Sequence, residues 1–174
     1  TGDATVFHYK AFGRSIRSNS PLTGISSSAF SESPDMFLWF GCRPDEVEYP
    51  YGGDAPAGDG LTVPRWNLEQ CNGIWRFWRC RSRCYSCLDY TDGPLFVFDR
   101  NGSNIWCDRL SRLAPAEVSL YITGPVLGLA LRLQGVLCLH AGAVVSGSRA
   151  IAFAGPSGSG KSTITSVFLK KGFK

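Results

Sequence analysis

The sequence predicts an α/β fold in which a P-loop domain follows a small antiparallel β-rich domain. Residues 155–163 (GPSGSGKST) match the phosphate-loop pattern G-x-x-x-x-G-K-[ST] in full. An apolar strand pattern over Ala150–Ala154 precedes the match, and an amphipathic helix pattern over 164–171 follows it. Upstream, short alternating runs are separated by turn signals. We therefore expect a β-rich N-terminal domain over residues 1–113 and the start of a P-loop domain over residues 114–174.

Short strands account for most of the N-terminal part. Residues 4–18 predict a strand, or a bent hairpin around Gly13, because aromatic and β-branched residues alternate there. Further strands are predicted at 36–41, 73–80, 84–90, 95–98 and 104–107. The tripeptides at 91–93 (TDG) and 100–102 (RNG) are typical of hairpin turns. These patterns predict the antiparallel arrangement.

A helix is predicted to begin at Pro115, since proline suits the first helical turn and Glu117 suits the helix dipole. Gly124-Pro125 should kink or split the helix, and Gly135 should end it. One apolar stripe recurs at helical spacing, over Val118, Ile122, Val126, Leu129 and Leu133. The apolar runs at 136–145 and 150–154 then predict a hairpin or two neighbouring core strands.

Each residue type in the phosphate loop has a chemical reason. Gly155, Gly158 and Gly160 allow backbone conformations that a Cβ would block and keep the amides close to a ligand. Those amides and the helix N-terminus then bind anionic oxygens. Lys161 is predicted to reach the β- and γ-phosphates, and the Ser162 hydroxyl to bind Mg²⁺. The predicted nucleotide-binding set is Gly155, Pro156, Ser157, Gly158, Ser159, Gly160, Lys161, Ser162 and Thr163.

The amino-acid composition limits which classes of protein this chain can belong to. Among the 174 residues, 44% are hydrophobic and 18% charged, which favours a folded protein. Because no apolar stretch of membrane-spanning length and no signal peptide is visible, we expect a cytoplasmic protein without a membrane segment. Arginines interleaved with aromatic residues over 75–85 are interpreted as a half-buried strand, so no nucleic-acid partner is expected.

Three runs lie in and around the phosphate loop, namely residues 139–144 (LHAGAV), 150–163 (AIAFAGPSGSGKST) and 171–173 (KGF). These runs resemble HPr kinase/phosphorylase-related proteins, most closely the HPr-serine-kinase-like branch, and the resemblance is most specific there. It extends to residues 9–18 (YKAFGRSIRS), 96–103 (FVFDRNGS) and 121–128 (YITGPVLG). Leu-His-Ala replaces the His-Gly form here, as in the divergent branch.

This resemblance implies a truncated α/β P-loop kinase core, similar to HPr kinase and phosphoenolpyruvate carboxykinase, after a small variable domain. It implies Mg²⁺-dependent phosphoryl transfer from ATP to a protein serine or a related acceptor. Lys161 would hold the phosphates, Ser162 would bind Mg²⁺, and His140 would lie at the end of its strand near the site. The family's catalytic acids would fall beyond Lys174, so we expect the chain to be a fragment. The resemblance is compatible with an oligomer.

Alternatives remain open for the function of the loop, for the role of His140 and for the cysteines. The same loop occurs in ATPase subunits of ABC-type transporters and in nucleotide-sensing domains that transfer nothing. His140 follows an apolar run, where a histidine is often a hydrogen-bonded core residue. A third set of residues has the spacing of part of a metal site: Cys80, Cys84 and Cys87, with Cys71 nearby. The alternative interpretation is that these are reduced thiols dispersed in strands.

Overall fold

A computed structural model of the protein describes residues 5–45, 47, 75–80, 84–90, 93–110 and 113–174. Its residues divide into two units, Thr1–Val136 and Leu137–Lys174. The division falls after Val136 and not at the expected boundary between residues 113 and 114. The reason is packing, because the helical segment that follows residue 113 buries its apolar side chains in the core of the first unit.

The first unit contains a seven-stranded sheet in the order β1-β2-β3-β7-β6-β5-β4. Its strands are β1 (Phe7–Ala11), β2 (Arg14–Ser18), β3 (Met36–Phe40), β4 (Trp75–Arg79), β5 (Tyr85–Tyr90), β6 (Leu95–Asp99) and β7 (Asn104–Asp108). The predicted strands are confirmed where the structure describes them. The β1–β2 hairpin turns at Phe12 and Gly13, whose φ angles of 52° and 73° match the twist of the flanking strands.

The prediction of a purely antiparallel domain was wrong, because the sheet is mixed. Strand β3 runs parallel to both of its neighbours, β2 and β7, while the other pairs are antiparallel. A parallel neighbour requires a connection long enough to return the chain to the same end of the sheet. The loop over residues 19–35 between β2 and β3 provides that length.

Asp35 fixes the start of β3 against the start of β2. The Ser15 amide and the Ser15 hydroxyl each donate a hydrogen bond of 2.7 Å to Asp35 Oδ2. Arg14 lies 3.3 Å from the other carboxylate oxygen. The backbone hydrogen bond from Ser15, then that from its hydroxyl, and the charge of Arg14 hold the pKa of Asp35 below its ordinary value.

The contribution of Asp35 to stability should therefore depend on pH. Since folding lowers this pKa, the stabilisation is present above the unfolded value of about 3.9 and is lost as the pH falls through the lower native value. We expect wild type to exceed Asp35→Asn in urea midpoint at pH 7, and the difference to shrink as the pH drops below about 4. A difference that stays constant over this pH range would contradict the stabilising role of the ionised Asp35 carboxylate.

The helical segment consists of α1 (Pro115–Tyr121), a π-helical turn (Ile122–Val126) and α2 (Leu127–Leu133). Pro125 lies inside the π-helical turn. The predicted interruption at Gly124-Pro125 is therefore present as a turn of π-helix between α1 and α2. A wider turn accommodates a residue that has no amide hydrogen and whose ring crowds the preceding turn. Gly135, with φ of 78°, ends the helix as predicted. The amides of Gly135 and Val136 donate to carbonyls of α2 in a Schellman motif.

One face of this helical segment forms the main core with the sheet. Its buried side chains are those of Val118, Ile122, Val126, Leu127, Ala130 and Leu131, which cluster with strand residues that include Ile16, Leu38, Phe96, Phe98 and Ile105. By length and composition alone, Pro115–Leu133 is also apolar enough to cross a membrane. The core helix of a soluble protein can have the same length and composition, so this is weak evidence for a membrane segment. The expectation of a cytoplasmic protein without a membrane segment stays a prediction.

The second unit consists of a β-hairpin and one helix. Strands β8 (Ala141–Ser146) and β9 (Arg149–Ala154) pair antiparallel in register from Ala141–Ala154 to Ser146–Arg149. The predicted hairpin is confirmed, with β8 beginning later than its apolar run suggested. Helix α3 (Lys161–Lys170) contacts both strands. Three rings form an aromatic cluster, with centroids 5.3 Å apart for Phe153–Phe168 and 5.0 Å for Phe168–Phe173.

Candidate phosphate-binding site

The candidate phosphate loop joins the end of β9 to the first residue of α3. Gly158 and Gly160 have φ angles of 78° and 83°, in the region that favours glycine. Gly155 serves a different purpose, because a Cβ there would lie 2.7 Å from Ser159 Oγ. The Ser159 amide donates to the Pro156 carbonyl at 3.2 Å and closes the turn. The local sequence thus folds into a tight loop that ends at Gly160, and helix α3 begins at the next residue, Lys161.

Lys161 bends back over this loop. Its Nζ donates hydrogen bonds of 2.8 Å to the Gly155 carbonyl and of 2.8 Å to the Pro156 carbonyl. The ammonium group is therefore held beside the loop backbone, at the start of α3. Positive charge from the ammonium and from the N-terminal end of the helix meets at one place, which favours an anionic ligand.

Ser162 and Thr163 occupy the first turn of α3, and both are exposed. The Ser162 carbonyl accepts a hydrogen bond of 2.8 Å from the Ser166 hydroxyl, so the backbone of this turn is held from inside the helix. An exposed hydroxyl next to Lys161 is an oxygen donor of the kind that Mg²⁺ accepts.

His140 immediately precedes β8 and is exposed. Ala141, the next residue, pairs with Ala154, after which the loop begins. His140 and the phosphate loop therefore lie at the same end of the hairpin. Its exposure disagrees with the interpretation of a buried core histidine, while its role in catalysis stays a prediction.

Sequence reasoning missed Gly142 and Thr165. Gly142 lies in β8, and a Cβ there would be 2.2 Å from Thr165 Oγ1 and 3.1 Å from the Lys161 carbonyl oxygen. Thr165 Oγ1 donates a hydrogen bond of 2.8 Å to that same carbonyl. A glycine inside an apolar run was the available signal, because such a glycine often marks a close backbone approach.

The second unit is also strongly biased in charge. Over residues 137–174 the sequence has no aspartate or glutamate, whereas its basic side chains are Arg149, Lys161, Lys170, Lys171 and Lys174. A polyanion would meet no carboxylate repulsion from this unit. By the same count, no carboxylate of this unit is available as a general base or as a second ligand of Mg²⁺.

Three of the cysteines that have the spacing of part of a metal site, Cys80, Cys84 and Cys87, lie among the described residues. Cys80 and Cys87 are buried with their sulfur atoms 3.9 Å apart, and Cys84 is exposed. Burial, and then the neighbouring Cys80, raises the pKa of the Cys87 thiol. Within the described ranges no group of three or more histidine, cysteine or acidic residues is placed to hold a metal ion. Cys71 lies outside the described residues.

Comparison of the chain with protein-family models, with curated proteins and with solved structures gives no match.

Proposed function

We propose that this chain is the ATP-binding part of an HPr-serine-kinase-like phosphotransferase, with a P-loop kinase core. The observation that carries the proposal is the strand, loop and helix over residues 149–170, with Lys161 folded over the loop. Supporting it are the glycines at positive φ and the excess of basic side chains in the second unit. The sequence resemblance selects kinase chemistry among the activities that such a loop serves.

Triphosphate binding follows from the chemistry of the loop. Loop amides and the N-terminus of α3 supply dipoles for phosphate oxygens, and Lys161 supplies a full charge. On binding, the ammonium exchanges the neutral carbonyls of Gly155 and Pro156 for anionic oxygens, with which hydrogen bonds are stronger. The protein therefore neutralises charge on the β- and γ-phosphates, as phosphoryl transfer requires.

Transfer needs more than this unit holds. Mg²⁺ would bind Ser162 and phosphate oxygens, and His140 is the titratable side chain at the loop end of the hairpin. Because residues 137–174 contain no carboxylate, we place the base and the second metal ligand outside this unit. A protein serine or a related hydroxyl is the proposed acceptor. The absence of carboxylates also makes a nucleotide-sensing role without transfer the second candidate.

The test is titration of the purified chain with Mg–ATP by calorimetry. We expect saturable binding of one nucleotide per chain, with Kd below about 1 mM. No saturation at that concentration would contradict the proposal. Transfer of label from ATP labelled at the γ-phosphate to a serine-containing protein would then decide for the phosphotransferase, because a sensing domain binds the nucleotide and transfers no label.

Ser162→Ala should weaken Mg–ATP binding and leave metal-free ATP binding unchanged, because the substitution removes one Mg²⁺ ligand and no phosphate contact. We expect a loss of about tenfold in affinity, equivalent to about 1.4 kcal/mol. Ser148→Ala, in the exposed turn between β8 and β9 at the other end of the hairpin, is the matched control and should bind as wild type does. Equal losses with and without Mg²⁺ would refute the metal role of Ser162.

A further inference from the structure

Strand β8 and helix α3 come close together at Gly142. Gly142 has no positive φ and lies within a regular strand, paired with Phe153. Its backbone conformation is one that any residue adopts, so the glycine is not needed for the turn of the chain. Glycine in a strand interior weakens the strand. The reason for it here is space.

That space is taken by the first two turns of α3. The Thr165 hydroxyl and the Lys161 carbonyl oxygen lie 2.2 Å and 3.1 Å from the place where a Cβ of Gly142 would be. The two groups are joined by the hydrogen bond from Thr165 Oγ1 to the Lys161 carbonyl, of 2.8 Å. The Lys161 carbonyl is therefore hydrogen-bonded within α3 and packs against β8 at Gly142.

We propose that Gly142 and Thr165 are positioning residues that set where Lys161 lies over the phosphate loop. The inference rests on the proposed function, since it assigns these residues to nucleotide binding through Lys161. A Cβ at position 142 would take the place of the Thr165 hydroxyl, so either that side chain rotates and releases the Lys161 carbonyl or the start of α3 moves away from β8. In both cases the first turn of α3 loses its present position. The Lys161 ammonium moves with that turn, whereas the Gly155 carbonyl follows the end of β9. A displacement of this kind weakens a preorganised contact without removing any ligand-binding group.

The first experiment compares Gly142→Ala with wild type in Mg–ATP titrations. We expect Kd to rise about tenfold in Gly142→Ala. Ala143→Ser is the matched control, because it adds one atom to the next residue of β8, which is exposed, and should bind as wild type does. Equal affinity of Gly142→Ala and wild type would overturn the inference.

Rescue separates positioning from simple damage to the fold. Thr165→Ala removes the nearer obstacle and leaves the Lys161 carbonyl oxygen at 3.1 Å, a distance that a small adjustment relieves. Thr165→Ala alone should weaken Mg–ATP binding, because the Lys161 carbonyl loses the hydrogen bond from the Thr165 hydroxyl. The double variant Gly142→Ala/Thr165→Ala should bind Mg–ATP more tightly than Gly142→Ala alone and less tightly than wild type, because it relieves the close contact and still lacks that hydrogen bond. A double variant that binds no better, or more weakly, would mean that the close approach does not govern the loop.

Amide hydrogen exchange gives a readout that needs no nucleotide. In Gly142→Ala we expect faster exchange at the amides of Ser159 and Ile164, which donate to the Pro156 and Gly160 carbonyls, while amides paired between β8 and β9 keep wild-type protection. Uniform acceleration over residues 137–174, or no change at Ser159 and Ile164, would overturn the inference. If wild type binds no Mg–ATP, the proposed function fails, and the exchange data alone decide whether Gly142 and Thr165 position the turn.

Discussion

Lys161→Ala should abolish measurable Mg–ATP binding while the protein stays folded. Truncating one partner of a close charge pair costs about 2–5 kcal/mol, or roughly 30-fold to several thousand-fold in Kd. In the structure the Lys161 ammonium contacts backbone carbonyls of the loop and no apolar core, so its removal leaves the packing of Phe153 and Phe168 in place. Calorimetric titration of both proteins with Mg–ATP measures the effect.

Lys170→Ala is the matched control for this prediction. It removes the same charge from the same helix, in the last turn and away from the loop. A nonspecific effect of net charge would weaken binding equally in both variants, whereas a specific contact weakens it in Lys161→Ala alone. Unchanged affinity in Lys161→Ala, with an unaltered amide spectrum over residues 137–174, would refute the site.

The loop and its flanking elements were predictable because their signals are local. The G-x-x-x-x-G-K-[ST] spacing, the apolar run before it and the helical pattern after it all lie within residues 150–171. The helix end at Gly135 was predictable for the same reason, since a glycine after the last apolar position supplies the left-handed residue of the cap. Each signal spans only a few residues.

Three features were beyond the sequence because they depend on contacts between distant residues. The parallel pairing of β3 is set by the clamp of Asp35 on Ser15 and by the long loop between them, not by alternation within either strand. The stripe correctly predicted the burial of Val118, Ile122 and Val126, but it was wrong for Leu129 and Leu133, which are only partly buried. After the π-helical turn the buried side chains are those of Leu127, Ala130 and Leu131, because the wider turn changes the face that meets the sheet. Gly142 signalled a close approach, but nothing in the sequence pointed to Thr165 as its neighbour.

Gly102→Ala should destabilise the first unit more than a glycine substitution in open space. Gly102 has φ of 68° in the turn between β6 and β7, where its amide donates to the Asp99 carbonyl at 3.1 Å. A Cβ there would lie 2.6 Å from the Ala130 carbonyl oxygen and 3.0 Å from Ala130 Cα, both backbone atoms of α2. No side-chain rotation relieves that contact, so the turn or the helix must move.

The expected cost of Gly102→Ala has two parts. A left-handed conformation at alanine costs about 1–2 kcal/mol, and overpacking against buried backbone adds about 1–3 kcal/mol. We expect a loss of about 2–5 kcal/mol in the free energy of unfolding. All five tryptophans of the chain lie before residue 107, so urea unfolding followed by tryptophan fluorescence reports on the first unit.

Gly24→Ala isolates the conformational part of that cost. Gly24 has φ of 77°, and a Cβ there would meet nothing within 4 Å. We expect Gly24→Ala to lower the free energy of unfolding by about 1–2 kcal/mol. The larger loss in Gly102→Ala then measures how much the packing of the β6–β7 turn against α2 contributes. Ala130 is fully buried at this contact, and the same packing explains why α1 and α2 belong to the first unit and not to the loop-bearing one. Equal losses in the two variants would show that the turn does not hold the helix.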